Sequence, residues 1–152
     1  MNPTADYSLL AKQAEALLSE SDMRITNAAN LSALIYQNLP DVNWAGFYFL
    51  EHGELWLGPF QGKPACVRIP LGQGVCGVAA QQETVQRIAD VHRFDGHIAC
   101  DVDSRSELVI PLVKQGELIG VLDLDSPHTD RFSEADAQGV SRLASIYLES
   151  IR

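Results

Sequence analysis

The chain has 152 residues, 46% of them hydrophobic, and its eleven basic against twenty acidic residues give a net charge of −9. That length and apolar content suit one domain with its own core and no need of staples. The charge repels phosphate backbones and anionic lipid surfaces, and no run of about 18 apolar residues is present, so nucleic-acid and membrane roles are disfavoured. The opening Met1-Asn2-Pro3-Thr4-Ala5-Asp6 has neither the basic nor the apolar region of a signal peptide, which makes the cytoplasm the expected compartment.

Tyr7, Leu10, Ala11, Ala14, Leu17 and Leu18 recur at helical spacing behind the capping residues Thr4 and Asp6, which predicts an amphipathic helix. A second helix is predicted from about Met23 to Asn38, with Ala28, Leu31, Leu34 and Ile35 as its apolar stripe, stopping before Pro40. The aromatic run Asn43 to Leu50 then pairs across Glu51-His52-Gly53 with Glu54 to Phe60 as a hairpin. Trp44, Gly46 and Tyr48 share a face of its first strand, and a glycine between two large rings leaves a gap for a small apolar group. Ordinary core packing of the aromatics is the alternative.

A short strand, Ala65 to Ile69, precedes the glycine-rich turn Pro70 to Gly74 and a helical run from Val75 to Gln82. The turn lacks the Lys-Ser/Thr pair of a nucleotide loop, so it is expected to open a helix whose amide groups face a pocket. After a strand at Val85 to Ile88, residues 89 to 106 show no helical or strand period, and a loop beyond about 12 to 15 residues is usually a lid or binding loop. Cys100 lies within it.

Two strand patterns follow, Glu107 to Val113 and Glu117 to Asp125, joined by Lys114-Gln115-Gly116. Alternation in the second sets Leu118, Gly120, Leu122 and Leu124 on one face and Ile119, Val121, Asp123 and Asp125 on the other. Closing this hairpin brings Glu107 opposite the end of the second strand, so three carboxylates converge near the Cys100 loop. The alternative is that the aspartates merely bond the backbone of the turn Asp125 to His128. A final amphipathic helix is capped by Ser133 with Asp136 three residues later and carries Val140, Leu143, Ala144, Tyr147, Leu148 and Ile151 inward.

This order predicts an α+β domain, 1–152, with a central, mainly antiparallel sheet of about six strands. The helices of 1–39 and 132–152 pack on the sheet, and the turn and active-site loop lie within 43–126. The cysteines at 66, 76 and 100 match neither a zinc site nor a Cys-x-x-Cys motif and read as thiols, each structural or reactive. His52, His92, His97 and His128 form no ligand pair at helical or strand spacing, so no metal is expected.

The run His97-Ile-Ala-Cys-Asp101 followed by Ser104-Arg-Ser-Glu107 resembles the signature of the free methionine-(R)-sulfoxide reductases, single-domain enzymes of the GAF fold. The likeness extends from about Asn43 to Phe132. It implies thiol-dependent reduction of free methionine (R)-sulfoxide, with Cys100 as nucleophile, Cys66 as the principal resolving thiol and Cys76 as a third thiol, which on the residues alone reads equally as a small buried helix residue. By the same resemblance Trp44 and Tyr48 wall the pocket around the methyl end of the sulfoxide. Asp123, Asp125 and Glu107 bind substrate, the aspartates suiting its ammonium, and Glu107 and Asp125 also belong to the catalytic set. No arginine stands out for the substrate carboxylate, Arg105 being the nearest, so backbone amides are expected there. No cofactor is implied beyond an external dithiol such as thioredoxin, and a homodimer is left open. The runner-up is a GAF sensor without turnover.

Overall fold

Capping and spacing set the helices of the computed structural model, which describes residues 5–96 and 102–152. Helix α1 (Tyr7–Leu18) begins where the Asp6 side chain accepts from the Leu9 amide at 3.0 Å. The other candidate cap, Thr4, lies outside the described residues. Helix α2 (Arg24–Asn38) stops before Pro40, which cannot continue it. Helix α3 (Gly74–Gln82) ends at Glu83 in the left-handed conformation, and α4 (Glu134–Ser150) opens with the reciprocal capping box of Ser133 and Asp136.

The strands are β1 (Trp44–Glu51), β2 (Glu54–Gly62), β3 (Arg68–Pro70), β4 (Gln86–Ile88), β5 (Ser106–Lys114) and β6 (Glu117–Ser126). They form one sheet in the order β3-β2-β1-β6-β5-β4, and every neighbouring pair is antiparallel. The fold is the expected α+β architecture. Strand β3 is shorter than the predicted 65–69 because the Cys66 carbonyl accepts from the Tyr48 hydroxyl instead of from a neighbouring strand. The described part of the loop before β5 contains a 3-10 turn, Val91–Arg93, capped by Asp90.

The sheet separates two interiors. Leu10, Leu31, Ile35, Phe47, Leu122, Leu143 and Tyr147 belong to the larger apolar core, which α1, α2 and α4 build on one face. The smaller cluster on the other face contains Trp44, Tyr48, Val75, Cys76, Ala79, Val109 and Val121 under α3. Strict alternation in β6 holds from Val121 onward but fails before it. Pairing shifts from Leu112 with Gly120 to Val113 with Leu118, so Ile119 is an extra residue on β6. This bulge turns Ile119 into the large core and Leu118 toward the small one, the reverse of the alternating expectation. Gly120 sits at the bulge because a Cβ there would collide with the Tyr48 carbonyl oxygen of β1.

A polar knot fixes α4 against α1 and the chain before β1. Arg131, 6% exposed, donates to Asp136 at 3.0 Å and to the Pro40 carbonyl at 2.9 Å, while the Tyr7 hydroxyl donates to Asp136 at 2.6 Å. Burial works to raise the Asp136 pKa, but hydrogen bonds from Tyr7 and Ser133 and the Arg131 charge together bring it below the ordinary carboxylate value. A depressed carboxylate adds stability above its unfolded pKa that is lost as pH falls through its folded pKa. Asp136→Asn leaves Arg131 buried without its counter-charge and is expected to lose about 2 to 4 kcal/mol at neutral pH. In urea titrations the deficit should shrink below pH 4, where the wild-type carboxylate also becomes neutral.

Candidate functional site

Strand register gathers the acidic residues. Glu107 at the start of β5 is paired directly with Asp125 of β6, and on its other side Asp125 is paired with Trp44 of β1. Two residues back along β6, Asp123 lies between Gly46 and Val109. Directly paired residues of an antiparallel sheet point to the same face, so the carboxylates and the two aromatic rings emerge together under α3. The convergence expected from the closed hairpin is present.

These side chains line a cavity of about 40 Å³ with Cys76 from the first turn of α3, Ser104 from the approach to β5, and Pro64 and Ala65 from the segment after β2. Glu107 is 8% and Asp123 5% exposed, and the Cys76 thiol donates to Glu107 Oε2 at 3.8 Å. Among the described lining residues there is no lysine, arginine or histidine. Burial first, and then the charges of Asp123 and Asp125, push the Glu107 carboxyl well above the usual range. Burial likewise raises Asp123, against hydrogen bonds from Glu107 and Cys76 that favour its ionised form. Both shifts favour the protonated carboxyl, the form in which a general acid acts. Burial and the surrounding carboxylates also push the Cys76 thiol up, leaving it a poor nucleophile.

Trp44 and Tyr48 do more than form a wall. The Trp44 indole donates to the Lys63 carbonyl at 3.1 Å and the Tyr48 hydroxyl to the Cys66 carbonyl at 2.8 Å, so the two rings hold both ends of the segment that carries Cys66. Burial and the nearby carboxylates raise the Tyr48 pKa, keeping that hydroxyl a donor. The gap expected at Gly46 is filled. A Cβ there would strike Phe60, whose ring stacks on Trp44 at 5.3 Å between centroids, so the glycine serves close packing and opens no slot for a ligand.

Cys66 is disulfide-bonded and Cys76 is a free, buried thiol. Cys100, the expected nucleophile, lies outside the described residues. Arg105 is exposed and lines a separate groove with Tyr36, Lys63 and Asp103, so it does not face the cavity. Sequence reasoning assigned no role to Ser104, which is 6% exposed in the cavity wall and whose hydroxyl has no partner among the described residues. Its signal in the sequence was its place in the Ser104 to Glu107 part of the signature, between the Cys100 loop and β5.

Residues 19–147 match the GAF domain family. The free methionine-R-sulfoxide reductase of Escherichia coli is 54% identical over 145 residues, covering 95% of this chain and 88% of that protein. The chain belongs to this family of oxidoreductases. The reductase of the same name from Saccharomyces cerevisiae is 42% identical, over 83% of this chain and 74% of that one. A solved structure of the Staphylococcus aureus fRMsr in complex with its substrate superposes with a TM-score of 0.95 at 47% identity, covering all of this chain and 99% of that one. No helix among the described residues of the reductase is long and apolar enough to cross a membrane.

Holding Glu107 in this cavity costs the reductase stability. A carboxyl whose folded pKa is raised binds its proton more tightly in the folded state, so stability falls as pH rises from the unfolded pKa toward the folded one. Glu107→Gln keeps the shape without the charge. It should unfold at a higher temperature than wild type at pH 8, with the difference closing toward pH 4, as followed by circular dichroism.

Proposed function

We propose that the reductase converts free methionine (R)-sulfoxide to methionine with a cysteine nucleophile and a carboxyl-lined pocket. The observation that carries this reading is the convergence of Glu107, Asp123 and Asp125 beneath Trp44 and Tyr48, in a chain related to reductases named for that substrate. Buried carboxylates suit the ammonium that distinguishes a free amino acid from a peptide-bound one. The aromatic pair suits the S-methyl group, and the N-terminal end of α3, with the Ser104 hydroxyl, suits the carboxylate.

In this mechanism the Cys100 thiolate attacks the sulfoxide sulfur while Glu107, or the proton it shares with Asp123, protonates the oxygen. Sulfoxide and thiol become sulfide and cysteine sulfenic acid, with the oxygen transferred to the Cys100 sulfur. The Cys66 thiol then displaces water from the sulfenic acid to give a Cys66–Cys100 disulfide, which an external dithiol such as thioredoxin reduces. That Cys66 is engaged in a disulfide while Cys76 stays a thiol supports Cys66 as the resolving residue. No resident cofactor takes part, and the cytoplasm, where such dithiols are kept reduced, suits the cycle.

Single-turnover assays on a racemic substrate test the assignment. Cys100→Ser should release no methionine, whereas Cys66→Ser should release one equivalent from the (R) epimer alone and recycle poorly. A full turnover by Cys100→Ser, or equal loss of both epimers, overturns it. Selection through the ammonium gives a separate expectation. N-acetylmethionine sulfoxide leaves buried carboxylates unpaired, so its specificity constant should be lower by on the order of a hundredfold or more. Comparable constants for the free and acetylated sulfoxides would give the aspartates another role.

A further inference from the structure

We propose that Cys76, Glu107 and Asp123 form a binding site for one borderline-soft divalent ion of the zinc class, and that an ion held there excludes the sulfoxide. Each residue offers a ligand atom, Sγ or a carboxylate oxygen, and these atoms all lie within 4.8 Å of one another. Cys76 Sγ lies 3.8 Å from Glu107 Oε2. Tetrahedral zinc, with Zn–S near 2.3 Å and Zn–O near 2.0 to 2.2 Å, requires its ligand atoms to sit roughly 3.5 Å apart. Small side-chain rotations therefore close the site.

Independent features of the same cavity point to an occupant. Among the described residues Asp123 Oδ1, buried on a residue 5% exposed, has no hydrogen-bond partner, and neither has the Ser104 hydroxyl in the same wall. Buried polar atoms are rarely left this way, because each costs its desolvation without a compensating bond. The described wall supplies no cation of its own to balance the carboxylates. The space, about 40 Å³, also suits an ion with a water or two, at roughly 10 to 15 Å³ for each water-sized occupant. A whole amino acid needs the cavity to widen.

The donor set selects the metal. One thiolate with two carboxylates favours zinc, cobalt or cadmium over magnesium or calcium, which prefer oxygen alone and more ligands. On binding, the Cys76 thiol releases its proton to solvent and becomes the third ligand, leaving a fourth position open to the cavity. Because Glu107 and Asp123 are also the groups assigned to the substrate, ion and sulfoxide compete. Inhibition rests on that assignment, but binding does not.

Cobalt titration of the disulfide form tests the site, since there Cys66 is engaged and Cys76 is the thiol at the cavity. One equivalent of Co²⁺ should produce a thiolate-to-cobalt charge-transfer band in the near ultraviolet, which Zn²⁺ displaces. Cys76→Ser should lack the band and bind Zn²⁺ on the order of a hundredfold more weakly. If that variant does not fold, Glu107→Gln decides, with an affinity reduced about tenfold or more expected. No band in the wild type, an undiminished band in Cys76→Ser, or unchanged affinity in Glu107→Gln overturns the proposal. Because the titration reads binding without turnover, its failure is distinct from failure of the reductase assay. In that assay Zn²⁺ should raise the Michaelis constant for the sulfoxide and leave the maximal rate unchanged.

Discussion

Backbone pairing between β5 and β6 sets Glu107 beside Asp125, and everything polar in the cavity depends on that register. Because side chains alternate strictly across a sheet, a slip of one residue would send the three carboxylates into the large apolar core and Leu108, Leu122 and Leu124 into the cavity. Neither arrangement is tolerable, so the core that stabilises the fold also fixes the site. Leu108, Leu122 and Leu124, fully buried on the opposite face, specify the register that Glu107, Asp123 and Asp125 use.

The two faces carry opposite burdens. Helices α1, α2 and α4 cover one with close-packed apolar side chains, and that burial supplies the stability, at roughly 25 cal/mol for each Å² removed from water. The other face holds buried carboxylates that repel one another and share protons, an arrangement that weakens the fold. Confining the repulsion to one small cluster under α3 leaves the larger core intact. The bulge at Ile119 completes the division, since it adds a large side chain to the stabilising core just where β6 leaves the cavity.

Trp44 and Tyr48 tie the wall of the cavity to the segment that bears Cys66. Each ring packs beneath α3 while its polar tip reaches a backbone carbonyl, at Lys63 and Cys66. Cys66, to which the resolving role is proposed, is thus carried on the stretch between β2 and β3, held by Trp44 at Lys63 and by Tyr48 at Cys66. Immediately after it the chain is tied to β2, where the Leu57 amide donates to the Val67 carbonyl at 2.9 Å.

The sequence by itself determined the order and type of the elements, the hairpins, the Ser133–Asp136 cap and the meeting of Glu107 with Asp125, because each follows from local periodicity and short connections. The signature around Cys100 pointed to the family for a different reason, as it is a run of residue types and not a contact. What required the tertiary structure were the facts set between elements distant in sequence. Phe60 fills the space beside Gly46 because β2 packs its ring on Trp44, and Ile119 turns inward because β5 and β6 pair with a bulge that no alternation reveals. Ser104 and Cys76 face Asp123 only once α3 has folded over the sheet. Desolvation, which sets the protonation of that cavity, is a property of all these layers together, and no single stretch of the chain encodes it.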